Sequence, residues 1–139
     1  MNPKSLMEQA LAGSLDGELA AYRLEDLRLE ASIGIYDFEI AHRQTVHVSV
    51  TVFARLDWDR TDRISQVLDY DYLRSGIQEM VTQRHFNLQE TLCEACLDLA
   101  LKPEKALAAT VEVQKTDVYA NAKSVGCTLF RRKDMPSPR

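Results

Sequence analysis

Glu39, Tyr70, Glu90 and Lys115 are the residues whose types, taken together, could do chemistry. Two carboxylates, a phenol and an ammonium are enough for general acid–base catalysis. Each stands where the hydropathy pattern begins or ends an element. Glu90 lies in Phe86-Asn87-Leu88-Gln89-Glu90-Thr91-Leu92, the opening of an apolar helical pattern. Two readings fit that spacing. Asn87, followed three residues later by Glu90, matches a capping box. Alternatively, Glu90 faces a pocket and accepts two neighbouring N–H donors from a ligand. Lys115 shares the odd parity of Val111 and Val113, so its ammonium heads towards the covered face of its strand. It either snorkels out at the strand end or lines a pocket. Glu39 also reads as a solvated loop charge, and Tyr70 as a core aromatic with a wet hydroxyl.

Other constellations are weaker. Cys93-Glu94-Ala95-Cys96 has no second cysteine pair and no histidine pair at metal-ligand spacing, so core packing is the better reading. His42, His47 and His85 are scattered. There is no Gly-rich phosphate loop and no Gly-x-Ser-x-Gly elbow.

The elements that must position these groups follow from periodicity. Leu27, Leu29, Ala31, Ile33 and Ile35 alternate with polar or small residues, and Val46, Val48, Val50, Val52, Ala54 and Leu56 alternate with His47, Ser49, Thr51, Phe53 and Arg55. That is the period of half-buried strands. The connection 36–43 lacks the Gly, Asn or Pro of a tight hairpin turn and is long enough to carry function. A first helix places Leu73, Ile77, Met80 and Val81 on one face, with Asp69 or Asp71 to cap it and Gly76 suggesting close packing on a neighbour. A second starts at Leu88, buries Leu92, Ala95, Cys96, Leu99 and Ala100, and stops before Pro103. Leu107, Ala109, Val111 and Val113, then Val125, Cys127 and Leu129, give two more strands. The order β-β-α-α-β-β predicts an α+β fold: a four-stranded antiparallel sheet with both helices on one face. Its two free edges predict pairing with further copies. Residues 1–20 read as a mobile or partly helical extension, 21–133 as the domain, and 134–139 as a tail.

Bulk composition narrows the class. A chain of 139 residues with 45% hydrophobic and 27% charged residues is one ordinary globular domain. Its net charge of -4 argues against a general nucleic-acid binder. No apolar run nears the ~20 residues of a membrane span. Three cysteines cannot all pair, which favours a reducing, cytoplasmic setting.

Gly34-Ile35-Tyr36-Asp37-Phe38-Glu39, followed by Gln44, resembles the Gly-(Val/Ile)-Tyr-x-x-Glu…Gln segment of the dihydroneopterin aldolase family. Thr61-Asp62 and Leu68-Asp69-Tyr70 resemble its Ser-Asp and (Val/Leu)-x-Tyr segments, and Phe86 to Glu90 its Phe-x-Leu-(Leu/Val)-Glu. Val113-Gln114-Lys115, then Val125-Gly126 and Arg131, resemble its ending. The matches run in register over about residues 22–133.

The resemblance implies the tunnelling (T-fold) architecture, in which subunits join sheets into rings, often stacked as octamers, with active sites between neighbours. It implies that Glu90, with Leu88 and Gln89 beside it, binds the pterin. Lys115 then transfers protons, Glu39 orients water or side-chain hydroxyls, and Tyr70 of a neighbouring subunit borders the site, binding substrate and positioning it or a water for catalysis. The implied reaction is retro-aldol cleavage of dihydroneopterin to 6-hydroxymethyl-dihydropterin and glycolaldehyde, in folate synthesis. The dihydropterin C=N takes up the electrons, so no cofactor, metal or lysine imine is implied. The inward parity of Lys115 suits a desolvated amine.

Two departures point to a sister enzyme, dihydroneopterin triphosphate epimerase. Lys115-Thr116 replaces the family's Lys-Pro, and Glu39-Ile40-Ala41-His42-Arg43-Gln44 resembles the epimerase's Glu-Ile-x-x-Arg-Gln. Arg43, Arg84 and Lys123 are candidates for a triphosphate cluster. Tyr36 and Gly126 follow the aldolase pattern, and aldolase is the expectation. A non-catalytic pterin- or purine-binding T-fold module is the alternative from another class.

Overall fold

The computed structural model describes residues 3–13, 15 and 17–134. The helix α1 (Pro3–Gly13) precedes the strand β1 (Leu19–Ala31). A short helix α2 (Asp37–Ala41) leads into β2 (Gln44–Arg55). After a 3-10 turn come α3 (Asp71–Gln83), α4 (Gln89–Ala100), β3 (Ala106–Lys115) and β4 (Val125–Arg132). The four strands form one antiparallel sheet in the order β1-β2-β3-β4.

The valine alternation of β2 is what fixes the core face. Val46, Val48, Val50 and Val52 are buried there with Val111 and Val113 of β3. Leu73, Ile77 and Val81 of α3 and Leu92, Cys96 and Ala100 of α4 close over them. Ala95, Leu99 and Met80 pack at the margin. A Cβ on Gly76 would come within 2.7 Å of Leu99 Cδ2, so α3 and α4 do approach closely at that glycine. Among the described residues, no helix is long and apolar enough to cross a membrane.

Three features depart from the periodicity reading. First, β1 starts at Leu19 rather than Leu27 and runs across position 20/21. Its register shifts between Leu24 and Leu27, where Asp26 takes φ 53. This bulge moves the inward set from Ala20, Tyr22 and Leu24 to Leu27, Leu29 and Ala31, so one period cannot describe the whole strand. Ile33 lies beyond the strand, in an isolated parallel bridge to Phe86. Secondly, a register shift at Phe53/Ala54 puts Ala106 in the core and leaves Leu107 only half-buried.

Thirdly, the opposite face of the sheet is partly covered. Residues 3–13, within the stretch that reads from the sequence as a mobile or partly helical extension, form a helix docked on the sheet. The buried Glu8 of α1 accepts from Arg23 Nη1 at 2.6 Å, Thr51 Oγ1 at 3.1 Å and Thr110 Oγ1 at 3.3 Å. Ala12 and Leu15 pack on Phe53 and Ala108. In the proposed tail, Asp134 pairs with Arg132 at 2.7 Å, and residues 135–139 lie outside the described residues.

Candidate active site

The second half of the chain supplies a lysine that the sheet carries inwards. Lys115 ends β3, opposite Val46 on β2 and Val125 on β4, and only 7% of it is exposed. The solvent-reaching alternative is thereby excluded. A buried ammonium must be paired, and the partner is Glu39 in α2. Lys115 Nζ donates to Glu39 Oε2 at 2.7 Å, with both side chains about nine-tenths buried.

Glu39 is held from several sides. Gln44 Nε2 donates to Oε2 at 3.2 Å, and the Tyr36 backbone N–H donates to Oε1 at 3.4 Å. The same Gln44 Nε2 donates to the Ile33 carbonyl at 2.5 Å. Gly34 makes room for this arrangement. It sits at φ +129, and a Cβ there would collide with the Glu39 carboxylate. The hydrogen bond from Lys115 holds the Glu39 carboxyl below its ordinary 4.5, outweighing the burial that opposes it. Stability alone is a weak reason for such a pair, since apolar replacements of buried ion pairs are often neutral or stabilising. Its location suggests use.

The pair borders an open cleft of about 500 Å³ whose walls include Tyr36, Leu88, Gln89, Glu90, Val118, Gly126 and Cys127. That size is ordinary for a small-molecule site. Glu90 sits at the second position of α4, exposed to the cleft. Leu88 is the N-cap residue of α4 and no side chain caps the helix. The capping-box reading of Asn87 and Glu90 therefore fails, because the helix starts one residue too late for Glu90 to occupy the third position. The carboxylate is left available, in a helix turn that favours negative charge. Next to it, Gln89 Oε1 is buried without a hydrogen-bond partner, an acceptor in want of a donor. For α3, Tyr70 occupies the N-cap position, and Asp69 Oδ1 accepts from the Asp71 N–H at 3.1 Å.

Glu39, Leu88, Gln89, Glu90 and Lys115 are thus brought together, and Tyr70 is not. Tyr70 is 60% exposed, with its ring 6.2 Å from that of Tyr22. Tyr22 pairs with Val52, whereas Lys115 pairs with Val46. That offset along β2 is about 20 Å at ~3.3 Å per residue. The candidates for a triphosphate cluster also lie elsewhere. Arg43 Nη1 donates to the Glu30 and Val81 carbonyls at 3.2 and 3.1 Å, and the Arg84 guanidinium lies 4.2 Å above the Phe86 ring. Neither they nor Lys123 lines the cleft.

The cysteines are free. Cys93 and Cys96 are fully buried, and burial pushes the Cys96 thiol up to about 12. Cys127, half-buried in the cleft wall, is raised by burial and by the nearby Glu90. Sequence reasoning missed His85, Val118 and Cys127. The half-burial of Cys127 follows from its place on an edge strand, which its alternation alone does not reveal.

The chain matches the profile of the dihydroneopterin aldolase (FolB) family over residues 22–130. It belongs to that family. The match begins after α1, so the docked helix lies outside it. Among curated relatives, the dihydroneopterin triphosphate 2'-epimerase of Escherichia coli K12 is 34% identical over 111 residues, covering 79% of this chain and 92% of the relative. The enzyme of the same name from Pseudomonas aeruginosa is 32% identical, covering 83% and 94%. Among solved structures, a dihydroneopterin aldolase from Burkholderia thailendensis bound to guanine superposes with a TM-score of 0.74 at 30% identity, covering 84% of this chain and 93% of that one. The E. coli dihydroneopterin aldolase has the same fold, with a TM-score of 0.70 at 22% identity over 81% of this chain and 98% of that one. The T-fold expectation is met: four antiparallel strands with α3 and α4 on one face. Members of this dihydroneopterin aldolase family named here are enzymes, aldolases or epimerases.

Proposed function

We propose that this chain cleaves dihydroneopterin to 6-hydroxymethyl-dihydropterin and glycolaldehyde, the aldolase step of folate synthesis. The observation that carries this reading is the buried Lys115–Glu39 pair opening on the same cleft as Glu90. Glu90 accepts from the pterin amino group and the adjacent ring N–H, a pair of charge-assisted bonds, with Leu88 and Gln89 flanking the ring. Guanine offers the same two-donor edge, and the guanine complex of the 30%-identical aldolase supports this assignment.

Retro-aldol cleavage needs three events. A proton leaves a side-chain hydroxyl, the electrons of the breaking C–C bond pass into the ring C=N, and a proton returns to the carbon left on the pterin. The oxygen that lost its proton departs in glycolaldehyde. The Lys115 ammonium first gives up a proton to water in the cleft. As the neutral amine it then takes the hydroxyl proton, directly or through a water, and returns it to the pterin carbon. Glu39 fixes the lysine and orients that water or the substrate hydroxyls. The ring C=N accepts the electrons, so no lysine imine or cofactor enters the scheme. Tyr70 reaches this site from a neighbouring subunit of a homo-oligomer, tetramer or octamer, built through the free edges of β1 and β4.

A second reading, epimerisation, rests on the names of the curated relatives and on Lys115-Thr116. The same intermediate then re-adds the fragment on its other face. Gly126 does not discriminate between the two, because a Cβ there would collide with the Val113 carbonyl whatever the substrate. The deciding experiment incubates purified protein with dihydroneopterin and with its triphosphate, following glycolaldehyde and dihydromonapterin. Glycolaldehyde released faster supports the aldolase, and dihydromonapterin formed faster replaces it with the epimerase. Pterin binding without turnover of either substrate leaves a non-catalytic binding module.

A further inference from the structure

The Glu39–Lys115 pair rests on a three-residue segment, Ser32 to Gly34, that lies beyond the end of β1. Gln44, which bonds Glu39, is anchored on the Ile33 carbonyl, and the Glu39 carboxylate packs directly on Gly34. A segment outside the strand ladder needs its own tether. The backbone supplies one part: the Phe86 N–H donates to the Ser32 carbonyl, and the Gly34 N–H to the Phe86 carbonyl, both at 2.9 Å. The neighbouring side chain supplies the rest. His85 Nε2 lies 2.8 Å from the Gly34 carbonyl, and Nδ1 lies 2.6 Å from Ser32 Oγ. A carbonyl only accepts, so Nε2 carries the proton, and in the neutral ring Nδ1 accepts from the Ser32 hydroxyl.

We infer that His85 is a positioning residue of the site: its imidazole spans Ser32 and Gly34 and so fixes the backbone on which Glu39 and Gln44 are seated. The same residue lies four positions before Gln89, where α4 begins with Glu90 in its first turn. His85 therefore ties the proton-transfer pair to the helix that presents the ligand-binding carboxylate. An error of about 1 Å between two such groups costs up to roughly a hundredfold in rate. The catalytic consequence rests on the retro-aldol reading, whereas the effect on Glu39 does not.

The test compares His85→Leu, which fills the space without a donor, with His85→Gln, which keeps an N–H able to reach Gly34. Two readouts are taken: steady-state kinetics with dihydroneopterin and its triphosphate, and the titration of the Glu39 carboxyl carbon by NMR. His85→Leu should lower kcat roughly ten- to a hundredfold with KM within about threefold, and move the Glu39 midpoint up towards 4.5. His85→Gln should recover most of both. An unmoved Glu39 midpoint in His85→Leu overturns the inference, as does a loss that His85→Gln fails to repair. If wild-type protein turns over neither substrate, the proposed function fails on its own, and the Glu39 midpoint still decides the role of His85. Should His85→Leu not fold, Ser32→Ala removes the other arm of the bridge and is judged by the same midpoint.

Discussion

Lys115 and Glu39, 76 residues apart in the chain, meet as a buried ion pair at 2.7 Å. Removing one partner of such a pair strands the other, at a cost of roughly 3–5 kcal/mol. Lys115→Met should therefore destabilise the protein by about that amount near neutral pH, and by less where Glu39 can take up a proton. It should also lower kcat by at least about a hundredfold while pterin affinity stays within a few fold. Denaturant unfolding at two pH values, together with neopterin titration, checks both. An equal loss of affinity and rate would contradict the proton-transfer role.

Glu39 makes a pH prediction of definite sign. Its folded pKa is depressed below 4.5, chiefly by the hydrogen bond from Lys115. On acidification the unfolded chain binds this proton first. The stabilising contribution is complete above about 4.5 and is lost as pH falls through the folded value. Glu39→Gln lacks this group, so below pH 4.5 its unfolding free energy should fall less steeply, by up to about 1.4 kcal/mol per pH unit. Parallel curves for the two proteins would show that Glu39 is not depressed.

Glu90 separates cap from ligand directly. With Leu88 at the N-cap and no side-chain cap present, Glu90→Gln should change stability by no more than about 0.5 kcal/mol. Loss of two charge-assisted bonds should weaken neopterin binding by roughly a hundredfold or more. Thermal unfolding and calorimetric titration distinguish the outcomes. A clear drop in melting temperature with unchanged binding would return Glu90 to a structural role.

Tyr70 and Lys115 lie towards opposite ends of the sheet in one chain. If neighbouring copies complete each site, inactive Tyr70→Phe and Lys115→Met proteins should regain activity when dissociated and reassembled together. Statistical mixing gives about a quarter of the sites both native side chains. Mixtures no more active than the parents would rule out a shared site.

The strand period and the order of the four strands and the two long helices α3 and α4 were legible in the sequence because burial imposes them locally. Val46 to Val52 alternate as one buried face demands, and the parity that sent Lys115 inwards is the parity of Val111 and Val113. Glu39, Glu90 and Lys115 could be singled out as chemically capable residues at element ends. Tertiary structure decided what depends on partners distant in the chain. The bulge at Asp26 switches the buried set of β1, the register shift at Phe53/Ala54 seats Ala106 in the core, and Glu8 docks α1 through residues of three strands. The start of α4 at Gln89, which frees Glu90 from capping, and the bridge from His85 to Ser32 and Gly34 have the same origin. A hydropathy pattern records which face a residue turns to the core. It does not record which group, tens of residues away, will be waiting there to accept its hydrogen bond.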